Sequence, residues 1–152
     1  MRKILGILLS TLMVMSLMAC GNKETIVPNT LGGTYVSAFN DSAASDAAGM
    51  VDYLMTNVPD DYGLVSMEVE PGFLNGFDND IQGFSKGVMF APMIGSIPFV
   101  GYVFETEDAD TLEQTLKDNA NMRWNVCTEA DELVTAKKGN LVFFLMCAND
   151  EQ

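Results

Sequence analysis

Glu68 and Glu70 are the side chains in this sequence that are best spaced for acid–base chemistry. They alternate with apolar residues in LVSMEVE, residues 64–70, so on a strand both would point to one face, about 7 Å apart. Many glycosidases use two carboxylates at such a separation. Exposed glutamates that discourage edge pairing are the commoner use of the pattern. We therefore predict that the chain is not an enzyme, with a carboxylate-based hydrolase as an alternative.

Histidine is absent from the whole sequence. This absence excludes Ser-His-Asp and Cys-His nucleophile arrangements and any zinc site that uses histidine. It also removes the side chain that most often transfers protons near neutral pH.

The segment DNDIQG, residues 78–83, begins like a calcium-binding loop. Asp78, Asp80 and Gln82 occupy the first, third and fifth positions of such a loop. The pattern fails at the twelfth position, where Met89 stands in place of the required bidentate glutamate. We therefore predict a polar turn here, with no metal site and no cofactor.

The first residues, MRKILGILLSTLMVMSLMAC, have the order of a secretory leader. Arg2 and Lys3 provide a positive start, and residues 4–17 then carry no charge. That apolar run is shorter than the roughly 20 residues that span a bilayer. The pattern predicts a signal peptide over residues 1–19. An uncleaved anchor helix is an alternative.

LMAC, residues 17–20, resembles a bacterial lipobox, which ends in a small residue and a cysteine. In signals of this kind a diacylglyceryl group is attached to the cysteine sulfur, and the chain is then cut before that cysteine. The resemblance implies that Cys20 is lipidated and holds the protein at the outer face of the cell membrane. An ordinary secretory cut, with Cys20 unmodified, is the other alternative.

The charge balance is strongly acidic. The formal net charge is −13, from 21 acidic and 8 basic residues, and the loss of Arg2 and Lys3 with the leader would make it more negative. Such a surface repels nucleic acids and anionic lipid head groups, so we expect no nucleic-acid partner. It is typical of a soluble exterior or of a protein with cationic partners. Lipid rather than charge would hold the protein at the membrane.

Two further cysteines, Cys127 and Cys147, remain once Cys20 is assigned to the lipid. An even pair in an extracytoplasmic protein permits a disulfide. The alternative is a pair of buried thiols, because cysteine packs well as a small apolar residue.

Residues 71–96 are rich in phenylalanine and glycine. Glycine disfavours one long regular element, so we predict irregular chain there. Exposed rings could contact a peptide or glycan, whereas core filling is the commoner role of loosely spaced aromatic residues. The candidate ligand-binding residues are Phe73, Phe77, Phe84 and Phe90.

Hydrophobic periodicity predicts a small α+β domain over residues 44–148. Residues 20–43 are rich in Gly, Asn, Thr and Ser and predict a flexible tether, with a short strand at Thr34–Phe39. The expected elements are helices within 42–59 and 106–124, strands at 64–70 and 97–105, and a hairpin of 133–137 with 141–147. Two helices would pack on one face of a mostly antiparallel sheet of about four strands. The Phe/Gly stretch would cover the other face, or that face would bind a ligand or a second copy.

Two segments, YVFETEDADTLEQTLKDNA and ADELVTAKKGNLVFFLMC, resemble a family of small lipoproteins from Clostridia-type Gram-positive bacteria, known only as a domain of unknown function. The family shares the lipobox leader, the polar tether, the acidic helix and a closing hairpin. That hairpin is matched here by Lys138, Gly139, Asn140, Leu141 and Val142. The resemblance implies a location and a fold, but no catalytic residue.

Together these patterns predict a lipid-anchored, non-catalytic binding or interaction module at the cell surface. Its partner would be an unidentified protein, peptide or glycan. A structural lipoprotein that forms homodimers is the alternative.

Overall fold

A computed structural model describes residues 29–59 and 61–149 of the chain. The predicted signal peptide and Cys20 lie outside these residues. Within the described ranges no helix is both long enough and apolar enough to cross a membrane.

Three helices and five strands form an α+β fold. In chain order they are α1 Leu31–Asp41, α2 Ala47–Asn57, β1 Leu64–Val69, β2 Lys86–Pro92, β3 Val100–Glu105, α3 Ala109–Asn119, β4 Glu132–Lys138 and β5 Leu141–Cys147. The strands make one sheet in the order β1-β2-β3-β5-β4, and every neighbouring pair is antiparallel. The α+β class is confirmed, whereas the predicted numbers of strands and helices were each one too low.

Helix α1 lies inside the segment that was predicted to be a tether, and the predicted strand at Thr34–Phe39 is wrong. Two adjacent glycines, Gly32 and Gly33, weaken the helical signal in the sequence. Leu31, Tyr35 and Phe39 nevertheless recur every four residues, fall on one side of the helix and are buried. Tertiary packing therefore outweighs local propensity, and the folded domain begins before residue 44.

The two predicted helices, α2 and α3, lie on opposite faces of the sheet rather than on one. We call the face covered by α1 and α2 the first face, and the face covered by α3 and residues 70–85 the second face. Strand β5 is buried on both sides along its whole length. A strand of this kind gives no sign of which helix covers which face, which explains the error.

Strand β2 occupies part of the Phe/Gly stretch, so the prediction of irregular chain is wrong from Lys86 to Pro92. Residues 70–85 contain no helix or longer strand. They lie over the second face together with α3, whereas the prediction placed them opposite both helices. Gly101 on β3 makes the pairing with β2 possible, because an added Cβ there would lie 2.2 Å from the Phe90 ring.

Candidate functional site

A cleft of about 250 Å³ opens on the first face, where the N-terminus of α2 approaches the ends of β1, β2 and β3. We call it the acidic cleft. It is lined by Asp46, Ala47, Ala48, Glu68, Val69, Glu70, Ser85, Lys86, Gly87, Val88 and Glu105.

Strand register brings the charged residues of the acidic cleft together. Glu68 on β1 is opposite Val88, whose side chain belongs to the core of the first face. Lys86 on β2 is opposite Glu105 on β3. Side chains directly opposite each other in an antiparallel pair share a face, so Glu68, Lys86 and Glu105 all point towards the α2 side.

The N-terminus of α2 binds two carboxylates of the acidic cleft. The Asp46 carboxylate accepts a hydrogen bond from the Gly49 N–H at 2.9 Å and caps the helix. The Glu105 carboxylate accepts from the Ala47 N–H at 3.0 Å. Both interactions satisfy helix N–H groups and place negative charge at the positive end of the helix dipole. The helix terminus is therefore already occupied by the protein's own anions.

The acidic cleft carries more negative than positive charge, and its charged residues form no ion pairs with described residues. Asp46, Glu68, Glu70 and Glu105 bring four carboxylates to the cleft, and Lys86 brings one ammonium group. None of these five residues takes part in an ion pair between described side chains. No group of three or more described acidic or cysteine side chains could hold a metal ion. The excess of negative charge can attract a cation and repel an anion.

Glu68 and Glu70, the predicted carboxylate pair, both line the acidic cleft and are exposed. Glu68 lies on an edge strand, as the alternating pattern predicted. Asp46, Lys86 and Glu105 were not recognised as site residues from the sequence. Their signal was weak, since each is a charged residue at the end of an apolar element.

The segment that resembles the start of a calcium loop is held in a polar turn near the end of α3. The Asp78 carboxylate accepts from the Asn121 amide at 2.7 Å, and the Asp78 N–H donates to the Asn119 carbonyl. Asn79 also binds the Asn119 side chain. Asp80 and Gln82 are exposed.

Three of the four candidate ligand-binding phenylalanines are core residues. Phe77 packs against Phe144 with ring centroids 4.8 Å apart, and Phe84 packs against Phe104 at 4.7 Å. Phe90 is fully buried on the opposite face, so the four rings do not form one surface. Only Phe73, which is 75% exposed, could meet a ligand.

Cys127 and Cys147, the two cysteines that could form a disulfide, are not joined to each other. Cys127 is exposed in the connection between α3 and β4, whereas Cys147 is buried at the end of β5. The alternative of two buried thiols therefore applies to Cys147 only.

The β4 edge of the sheet carries a separate charged cluster on the second face. Burial raises the pKa of the Glu113 carboxyl, but hydrogen bonds from Lys117, Thr135 and Lys137 outweigh that effect and lower the pKa to about 2. Hydrogen bonds to Asp110 and Glu113 raise the pKa of Lys137. The charges at this edge are paired, in contrast to those of the acidic cleft.

Neither protein-family models, nor curated proteins, nor solved structures yield a match to this chain. The resemblance to the Clostridia-type lipoproteins therefore remains a prediction from the sequence.

Proposed function

We propose that the protein is a non-catalytic binding module, anchored by lipid at the extracytoplasmic face of the membrane, and that its acidic cleft binds a cationic group of its ligand. The observation that carries this proposal is that four carboxylates and only one lysine line the same cleft. The ligand would be a protein, a peptide or a glycan that presents amines or guanidinium groups.

Electrostatics supports a cation over an anion at this position. The helix N-terminus, which commonly binds anions, is occupied by Asp46 and Glu105. The net charge of −13 adds a long-range attraction for cations, which speeds their association at low salt. Glu68 and Glu70 are exposed, so a bound cation can reach them from solvent.

The lipid anchor is supported by the lipobox-like LMAC sequence and by the acidic charge, which gives no electrostatic attraction to anionic lipids. In bacterial cells, Cys20→Ser should abolish lipid labelling and leave the protein unprocessed or released from membranes. Cys127→Ser is the matched control and should leave lipid labelling unchanged. Equal labelling of the wild type and of Cys20→Ser would refute the anchor.

Titration of the full chain in non-ionic detergent with spermidine, a trivalent organic cation, tests the cleft. We expect the double variant Glu68→Gln/Glu70→Gln to bind spermidine at least tenfold more weakly, because two of the four carboxylates are neutralised. Glu107→Gln/Asp118→Asn removes the same charge from exposed positions at the α3 side and should change affinity less than threefold. Equal losses in the two double variants would show that only net charge matters and would overturn the cleft assignment.

A further inference from the structure

Strand β1 leaves one edge of the sheet open. Among the described residues it pairs with β2 alone, so its other side has no neighbouring strand. In an antiparallel strand every second residue directs its N–H and C=O away from its partner. Three of the six β1 residues therefore present backbone donors and acceptors to solvent. An extended peptide can form hydrogen bonds with these groups and add to the sheet as a further strand.

The two faces of β1 differ in chemistry. Val65 and Met67 are 43% and 54% exposed, and Met67 is opposite Met89, which packs on the core of the second face. Glu68 and Glu70 line the acidic cleft on the first face. A strand that is added beside β1 would meet apolar side chains on one face and carboxylates on the other.

We propose that β1 binds an extended peptide in which basic residues alternate with apolar residues, and that this peptide adds to the sheet as a sixth strand. The charge part of this proposal rests on the proposed function of the acidic cleft. Side chains of a strand alternate between faces, so all the basic residues of such a peptide point towards Glu68 and Glu70. The apolar residues then lie beside Val65 and Met67, within reach of cross-strand contact.

A basic partner suits this edge better than a second copy of the chain does. Residues directly opposite each other in an antiparallel pair share a face, so two paired β1 strands would place the glutamates of both copies on one face. Like charges across strands are destabilising, and each copy also carries a net charge of −13. A basic peptide reverses the sign of both effects.

Hydrogen exchange of the full chain in detergent, with the peptide Ac-KVKVKV-NH2 as the probe, tests the proposal. We expect the outward-facing amides of β1 to exchange at least tenfold more slowly in the complex. Two N-methylated versions of the peptide are the sharpest controls, one methylated at every lysine nitrogen and the other at every valine nitrogen. Only alternate N–H groups of an added strand face β1, so one version should lose binding at least tenfold and the other should bind nearly as well as the parent.

Failure of strand addition and failure of the acidic cleft give different results. Equal binding by the two methylated peptides, without protection of β1, would overturn strand addition while spermidine binding at Glu68 and Glu70 could stand. Protection of β1 with unchanged affinity in Glu68→Gln/Glu70→Gln would retain the added strand and overturn its basic specificity. Dimerisation in light scattering, with β1 protected in the absence of peptide, would replace the peptide by a second copy.

Discussion

The two edges of the sheet are built in different ways. At the β4 edge, α1 packs on one face and α3 on the other, and Lys137 bridges Asp110 and Glu113. At the β1 edge, apolar side chains are exposed on one face and carboxylates without counter-ions lie on the other. The charges near β4 form ion pairs within the fold, whereas Glu68 and Glu70 near β1 form none with described residues. This contrast indicates that β1 is the side on which binding should be sought.

The largest expected effect comes from removing a core side chain of α1, the helix that packs on β4 and β5. Phe39 on α1 is fully buried and stacks on Phe143 of β5, with ring centroids 5.4 Å apart. Phe39→Ala should lower the free energy of unfolding by about 3–5 kcal/mol in urea denaturation, because it leaves a cavity in the core. Phe73→Ala, at an exposed ring, should change it by less than about 0.5 kcal/mol. Equal effects of the two would mean that α1 is not part of the core.

A smaller effect is expected where β4 holds the start of α1. The Glu132 carboxylate accepts from the Thr30 hydroxyl at 2.6 Å and from the Gly32 N–H at 3.1 Å. Glu132→Ala leaves both donors without this acceptor and should cost about 1–3 kcal/mol of unfolding free energy. On β1, Glu68→Ala should cost less than about 0.5 kcal/mol, because its carboxylate is exposed and forms no ion pair with a described residue. A larger loss for Glu68→Ala would reverse the comparison of the edges.

The smallest effect is a dependence of stability on pH at Glu113. Its pKa is about 2 in the folded protein against an ordinary value of 4.5, so ionised Glu113 stabilises the fold above pH 4.5. That contribution is lost as the pH falls from about 4.5 to about 2. Glu113→Gln should therefore lower stability by about 1 kcal/mol at pH 7 and reduce the acid-induced loss.

Urea denaturation at a series of pH values measures this difference. The control is Glu107→Gln, at an exposed residue of the same type, which should retain the acid dependence of the wild type. Parallel pH profiles for the wild type and Glu113→Gln would contradict the assigned role of Glu113.

The closing hairpin and strand β1 could be predicted from short sequence patterns. The closing hairpin pairs Leu133 with Met146 and turns at Gly139, which has a φ of +60° that suits glycine. The alternation in LVSMEV correctly predicted a strand, but not a half-exposed one, because Val65 and Met67 on its apolar face are exposed as well. Both features are encoded within a few consecutive residues.

Elements that depend on distant contacts were not predictable in the same way. Helix α1 is stabilised by burial of Tyr35 and Phe39 and by Glu132, which lies about a hundred residues further along the chain. The acidic cleft likewise combines α2 with three strands, so Asp46 and Glu105 meet only after folding. No short window of sequence contains either arrangement.

The early start of α1 shortens the chain segment between Cys20 and the folded domain. If Cys20 carries the lipid, about ten residues join it to Thr30, the capping residue of α1. A fully extended chain of that length reaches at most about 35 Å, whereas the tether expected from composition would reach about 80 Å. The domain would then be held within roughly its own diameter of the bilayer. Its partner would have to come to the membrane surface, because the domain could not search far from it.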